Sequence, residues 1–334
     1  MIEYYCCEKD DNKNARLLIN INQLICAKFN QSRINTVENV LTFIIPVRHP
    51  ENARDWKELK SYLGVTLQSI ANQDQAGWRA IIVANYGSDL PALPPGVEVK
   101  WVDFPPNQLH EQGTAHREQF HEAVRLDKGR RILAGLLEAG LSEYCMVVDD
   151  DDLISNGLTG FVKRHRGANG WFIRHGYVWT PGNKLLYRYP DFSMLCGTSH
   201  IVRTDLFALP AREELATDDY IKQMLGSHIF ITRYLREQGT PLAPLPFTGA
   251  IYRTGHAGSH SRSRDVLSTH LLHAWLLKSP GELARRLCRF RLLGAGIQRE
   301  FFGPQQGLVL VAQQESAGVL CENELLQPGG DRVA

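Results

Sequence analysis

The sequence predicts an α/β protein whose central sheet is mostly parallel and flanked by helices, with antiparallel strands added in its second half. Three observations carry that expectation. Between Leu41 and Leu153, short apolar, β-rich runs alternate with stretches of helical periodicity. Two of those runs, LTFIIPV and WRAIIVAN, lack the polar alternation of a half-exposed strand. Beyond Leu153, aromatic strands flank a Pro-Gly-Asn turn.

Residues 1–39 are mixed and polar, end in the turn-prone NQSRINTVEN and read as an extension. The main domain is expected over 40–264, with its change of character between 153 and 154. LTFIIPV, from Leu41, ends at a proline, as a strand buried on both faces does where it turns into a loop. Asp55 to Gln73 sets Trp56, Leu59, Leu63, Leu67 and Ile70 at helical spacing, and WRAIIVAN follows as a second buried strand. VEVKWVDF supplies a third strand, and Arg117 to Gly140 a long helix with Ile132, Leu133, Leu136 and Leu137 clustered. YCMVV is the fourth strand. In such an alternation, ligands sit beyond the carboxyl ends of the strands.

In the second half, GWFIRHGYVWTPGNKLLYRYP reads as two aromatic strands around Pro181-Gly182-Asn183. Asp219 to Gln238 reads as one helix, FTGAIYR as a strand and TGHAGSHSRSR as a lid loop. Over 265–303 two helices are expected, Val266 to Lys278 and Gly281 to Arg299. The second is amphipathic and basic through Arg285, Arg286, Arg289 and Arg291, while 304–334 is a loosely patterned tail that reads as flexible.

The 334 residues, 43% hydrophobic and 22% charged, are enough to bury a sizeable core. A net charge of +1 sets up no global field for nucleic acid, so an anionic ligand has to be held by local groups. Seven cysteines, with only Cys6 and Cys7 adjacent and no CxxC pair, fit neither a disulfide framework nor a zinc site and point to the reducing cytoplasm. The N-terminal stretch lacks the basic start and apolar core of a secretory signal, and no segment reaches the ~20 apolar residues of a membrane span. A soluble protein is expected, with a peripheral contact at the inner membrane face through the basic face of 281–299 as a further expectation. A core or dimer helix is the competing reading.

The chemistry concentrates in Val147-Val148-Asp149-Asp150-Asp151-Asp152-Leu153, where a buried strand delivers four carboxylates at its C-terminal end. Carboxylates this close repel one another, an arrangement that Mg²⁺ or Mn²⁺ relieves. The competing reading is an acidic cap on a following helix. Lys128, Arg130 and Arg131 are read as opening a helix beside a phosphate site, where ammonium and guanidinium groups suit a diphosphate, with a solvated basic turn as the competing reading. Asp218 and Asp219, at a helix start, are either a catalytic pair or favourable charges at the helix dipole. Trp179 is placed in the core rather than against a sugar ring.

Pro46-Val47, Leu67-Gln68-Ser69-Ile70, Asn85-Tyr86-Gly87-Ser88, Gly129-Arg130-Arg131 and Asp149-Asp150-Asp151-Asp152 occur in that order, and with Ala216-Thr217-Asp218-Asp219-Tyr220 they resemble the motifs of GT-A, family 2 glycosyltransferases. The resemblance spans about Leu41 to Arg264. It implies a Rossmann-like GT-A fold with a nucleotide-binding half (40–153) and an acceptor half (154–264). It also implies a hexosyltransferase-type enzyme that moves a sugar from a nucleoside diphosphate to a saccharide or lipid-linked acceptor with inversion, in bacterial surface polysaccharide or glycoconjugate synthesis.

By that match Pro46, Val47 and Arg48 line the nucleotide pocket and Asp149 and Asp150 meet the nucleotide. Asp151 and Asp149 ligate Mn²⁺ or Mg²⁺, with His256 of the lid as a further ligand. Asn85 stands where the family's base-reading aspartate falls, with a donor as well as an acceptor. Asp219 takes the acceptor's proton and Asp218 supports it, since an acceptor hydroxyl is a poor nucleophile until a base takes its proton. Gly197-Thr198-Ser199 lies beneath the acceptor, and His228 is read as an acceptor contact or a core residue.

Two rival classes stay open. A sugar nucleotidyltransferase shares the topology and the metal carboxylates but wants a Gly-rich loop after the first strand, and PVRHPENAR has no glycine. A non-catalytic sugar-nucleotide-binding domain is favoured where Asp151 or Asp219 is absent, and both are present.

Overall fold

A computed structural model describes residues 39–110, 116–140, 142–255, 266–271 and 278–303. The extension before Asn39, the tail from Pro304, and the lid residues 256–265 with His256 and His260 lie outside the described residues.

The strands are β1 (Leu41–Pro46), β2 (Trp78–Asn85), β3 (Val97–Val102), β4 (Tyr144–Val147), β5 (Leu153–Ile154) and β6 (Gly170–Phe172). They continue as β7 (His175–Trp179), β8 (Leu185–Tyr189), β9 (His200–Arg203), β10 (Ala243–Pro244), β11 (Thr248–Arg253) and β12 (Phe290–Leu292). Among the described residues they form two sheets, of order β10-β6-β9-β4-β1-β2-β3 and β12-β8-β7-β11-β5. In the larger sheet β4, β1, β2 and β3 run parallel, and β9 lies antiparallel to both β4 and β6. The fold is therefore the expected mixed α/β arrangement, a mostly parallel central sheet with antiparallel strands contributed by the second half.

Each face of β1 carries its own core. Phe43 and Ile45 pack with Leu63, Leu67 and Ile70 of helix α1 (Trp56–Ala71). Ile44, pointing the other way, packs with Ile132, Leu133 and Leu136 of helix α2 (Arg117–Ala139). That alternation is the pleat's period of two, and it explains why the run is apolar at nearly every position. α2 comes so close to the sheet that a Cβ on Gly135 would lie 2.5 Å from Ile44 Cγ2 and 2.9 Å from Val83 Cγ2. Only a glycine allows the helix to seat there.

The remaining helices are α3 (Leu158–Arg164), α4 (Phe192–Leu195), α5 (Asp218–Tyr220), α6 (His228–Glu237), α7 (Val266–His270), α8 (Pro280–Leu287) and α9 (Ala295–Phe301). α9 returns to the middle of the chain. Its Glu300 accepts from Ser155 Oγ at 2.6 Å, and Asn72 donates to the Arg299 carbonyl at 2.9 Å. Phe301 and the following Phe302 are buried with Leu153, Trp179 and Ile251.

Four expectations are corrected. The aromatic stretch from Gly170 forms three strands, because the chain leaves the large sheet after Phe172 and re-enters as β7 in the small one. The segment Asp219 to Gln238 is not one helix: α5 passes into a π-helical turn over Ile221–Leu225, and the helix restarts at His228 after Gly226 and Ser227. Close packing imposes this, since a Cβ on Gly226 would meet the Arg125 carbonyl at 2.4 Å. The helix expected over 281–299 is likewise divided into α8, β12 and α9, because Phe290–Leu292 pairs antiparallel with β8. Lys128, Arg130 and Arg131 lie inside α2 rather than opening it. Gly129 is there for contact, its hypothetical Cβ falling 2.6 Å from Ile221 Cγ2.

Candidate active site

β4 delivers the four carboxylates. Its register sets Val147 opposite Ile44, and Val148 N–H continues the ladder by donating to the Ile44 carbonyl at 2.9 Å. The chain then turns, with Asp152 N–H donating to the Asp149 carbonyl at 3.2 Å and Thr66 Oγ1 of α1 donating to the Asp150 carbonyl at 3.2 Å. β5 follows at once, so these aspartates cap no helix.

The four side chains have different surroundings. Asp149 Oδ1 lies 2.5 Å from Lys128 Nζ, and its backbone N–H donates to Thr198 Oγ1 at 2.8 Å. Burial works against the Lys128 charge, but Asp149 outweighs it and holds the ammonium above the usual lysine range. Asp150 is buried and lies 3.9 Å from Arg48; burial pushes its carboxyl up to about 6 against the pull of that guanidinium. Asp152 is fully buried, accepting from Cys196 Sγ at 3.1 Å and from the Arg253 backbone N–H at 3.2 Å, and burial raises it well above the ordinary carboxylate range. Asp151 is half-buried and lines the cleft.

That cleft, of about 270 Å³, lies beyond the carboxyl ends of the parallel strands. Pro46, Arg48, Lys128, Arg131, Asp149, Asp150 and Asp151 reach it, along with Asp127, Gly197 and His228. Val47 sits one step behind, fully buried in the core with its N–H on the Val83 carbonyl at 3.0 Å. Asn85 is buried behind Arg131. It accepts from Arg131 Nη1 at 2.7 Å and donates to the Phe104 carbonyl at 2.6 Å, so its amide is used in holding the guanidinium that Asp127 also grips at 3.1 Å.

The acidic pair stands elsewhere. Asp218 pairs with Arg130 at 3.2 Å, and Asp219, its side chain 94% exposed, lies 3.9 Å from Lys222; neither is among the residues lining the cleft. Trp179 is buried, ring-to-edge with Phe302 at 5.3 Å, and belongs to the core.

No protein-family model matches the chain, and no curated protein matches it. Solved structures do. S. aureus TarS 1-349 is similar at 15% identity and a TM-score of 0.36, over 64% of this chain and 60% of that one. A second S. aureus TarS structure is similar at 12% identity and a TM-score of 0.33, with 64% and 36% covered. Rv0371C of Mycobacterium tuberculosis H37Rv, in complex with manganese, is similar at 9% identity and a TM-score of 0.31, with 65% and 90% covered. The chain thus spans less than two thirds of either TarS structure.

Sequence reasoning missed Arg253. It ends β11 only 1% exposed, over the Tyr62 ring at 4.5 Å and the Trp179 ring at 5.9 Å, and its charge faces Asp151, Asp152 and Asp150 from behind. An arginine closing an otherwise apolar strand was the available signal. Cys196 was missed as well, a buried thiol on Asp152 in a sequence where no cysteine spacing points to chemistry.

Proposed function

We propose that the chain is a metal-dependent glycosyltransferase of the hexosyltransferase type, moving a sugar from a nucleoside diphosphate onto a saccharide or lipid-linked hydroxyl with inversion. The observation that carries this reading is the meeting of three strand-end carboxylates, Asp149, Asp150 and Asp151, with Lys128, Arg48 and Arg131 in one cleft at the carboxyl edge of the parallel sheet. Anionic and cationic groups side by side suit a ligand that is a diphosphate bound with a cation.

The donor set fits a hard cation. Among the described residues no group of three or more His, Cys, Asp or Glu is spaced as a protein-only metal site. Mg²⁺ and Mn²⁺ commonly take one or two carboxylates and complete their shell with phosphate oxygens and water. Asp151 and Asp149 would hold the ion here, which when bound offsets charge on the leaving diphosphate. Lys128, anchored by Asp149, and Arg48, anchored by Asp150, present fixed positive charge to the diphosphate oxygens. Arg131 is held rigid by Asn85 and Asp127, so the protein spends little reorganisation on placing it.

A thermal-shift panel of UDP-, GDP- and dTDP-sugars with and without Mn²⁺ tests the reading. At a ligand concentration 100 times Kd, the matching donor adds about 2.7 kcal/mol of stability, and Asp151→Asn removes the Mn²⁺-dependent part. Equal shifts in Mn²⁺ and in EDTA for both proteins would sink the metal assignment, and no shift with any nucleotide would sink the function.

A further inference from the structure

Two histidines stand side by side behind Lys128, their ring centroids 6.1 Å apart, and the structure treats them differently. His200, on β9, has both nitrogens engaged: Nδ1 lies 3.0 Å from Ser199 Oγ and Nε2 2.8 Å from Thr232 Oγ1. It is a structural residue. His228 has a buried Nε2 with no hydrogen-bond partner among the described residues. Native proteins rarely leave a buried polar atom without a partner, so each such atom calls for an explanation, a catalytic role or a missing ligand among them.

The position of that ring is specific. His228 begins α6 immediately after Gly226 and Ser227, where the π-helical turn ends. It lines the main cleft beside Lys128, Asp149 and Gly197. It also lines a narrower cavity of about 50 Å³ walled by Ile132, Val202, Phe207 and Met224. The imidazole thus stands where the polar cleft meets an apolar recess.

We propose that His228 binds the acceptor hydroxyl and takes its proton during sugar transfer. The proposal rests on the glycosyltransferase reading above. In the step, a lone pair on the acceptor oxygen forms the new bond to the anomeric carbon while the bond from that carbon to the diphosphate oxygen breaks. The bonding pair leaves with the diphosphate, the hydroxyl proton moves to the free imidazole nitrogen, and the imidazolium then loses it to solvent.

The charge of the site suits such a role. Burial, then the Lys128 ammonium, lower His228 to about 4, against Asp149 and the Met194 backbone, so the free protein holds a neutral ring with an available lone pair. The charged groups facing the ring are Lys128 and Asp149, with neutral His200 beside it. A diphosphate bound to Lys128 screens the main repulsion and makes the ring a stronger base once the donor is in place.

The experiment compares wild type, His228→Gln and His228→Ala. It uses the sugar nucleotide that gives the largest thermal shift, with water and free monosaccharides as acceptors and nucleoside diphosphate release as the rate. His228→Gln is expected to bind nucleoside diphosphate within about threefold of wild type while release falls about 10²- to 10⁴-fold. The acidic limb of the pH–rate profile should disappear, and added imidazole should restore part of the rate to His228→Ala. An arm that needs no turnover follows the ¹⁵N ring resonances of His228, identified by their loss in His228→Gln, on addition of nucleoside diphosphate and Mg²⁺. They are expected to move. Release by His228→Gln within threefold of wild type with an unchanged pH profile, or ring resonances indifferent to the nucleotide, overturns the proposal and points back to Asp219. Absence of nucleotide binding by wild type would instead remove the glycosyltransferase reading itself.

Discussion

At the scale of single residues, the site depends on what is missing from Gly197. A methyl group there would lie 2.9 Å from Asp149 Oδ2 and 3.1 Å from Lys128 Nζ, in the space that the ion pair needs. The same scale carries a pH prediction. His200 is depressed to about 3, chiefly by burial, whereas an unfolded histidine titrates near 6.5. Below 6.5 the unfolded chain binds a proton that the folded chain refuses, so this residue's contribution is complete above 6.5 and is lost as pH falls toward 3. The loss is about 1.4 kcal/mol per pH unit. Melting curves of wild type should therefore decline more steeply between pH 6.5 and 4.5 than those of His200→Asn, and parallel curves would remove the assignment. Legibility at this scale was uneven. The carboxylates of 149–152 announce themselves because like charges rarely crowd in sequence. Arg253, at the end of an apolar strand, acquires meaning only from the residues that folding brings beside it, whereas the sequence already offered His228 as an acceptor contact or a core residue.

At the scale of elements, hydrophobic periodicity found what one face of packing dictates and overlooked what close approach dictates. β1, β2, β4 and α1 were legible because each buries a regular set of side chains. The helix read over Asp219 to Gln238 kept its apolar spacing through Gly226 and Ser227, yet Gly226 lies against the Arg125 backbone, and the chain yields by a π-turn and a restart. The segment from Gly281 was misread for a related reason: its pattern fits a helix, but β8 offers an open edge and Phe290–Leu292 takes it. Gly135 gives the corresponding stability prediction. Alanine gains about 1 kcal/mol of helix propensity and meets Ile44 and Val83 inside normal contact, which typically costs about 1–3 kcal/mol and forces α2 off the sheet. A denaturant midpoint equal to or above wild type for Gly135→Ala would contradict this close fit.

At the scale of the whole molecule, the near-balance of charge, +1 over 334 residues, leaves any membrane attraction to local patches. Among the described residues no helix is long and apolar enough to cross a membrane. The basic stretch after Pro280 is largely occupied with itself. Arg286 pairs with Glu282 at 3.0 Å and Arg285 with the same carboxylate, while Arg291 donates to the Cys288 carbonyl at 2.6 Å and Arg289 to Tyr187 at 3.3 Å. Flotation with anionic vesicles at low salt should leave the protein at the bottom of the gradient. Recovery in the vesicle fraction, lost in an Arg285→Glu, Arg286→Glu variant, would restore the membrane contact expected from the sequence.

The return of α9 also bears on how the protein comes into being. β5 follows directly on Asp152, and its Leu153 is packed by Phe301 and Phe302, with Ser155 tied to Glu300, residues made about 150 positions later. On a ribosome adding roughly 5–20 residues per second, the carboxylate turn is made about 7–30 s before its backing exists. The ordering is strongly non-local, so closure of this latch belongs to the end of folding rather than to its beginning. A nascent chain consequently carries the carboxylate turn well before the residues that back it.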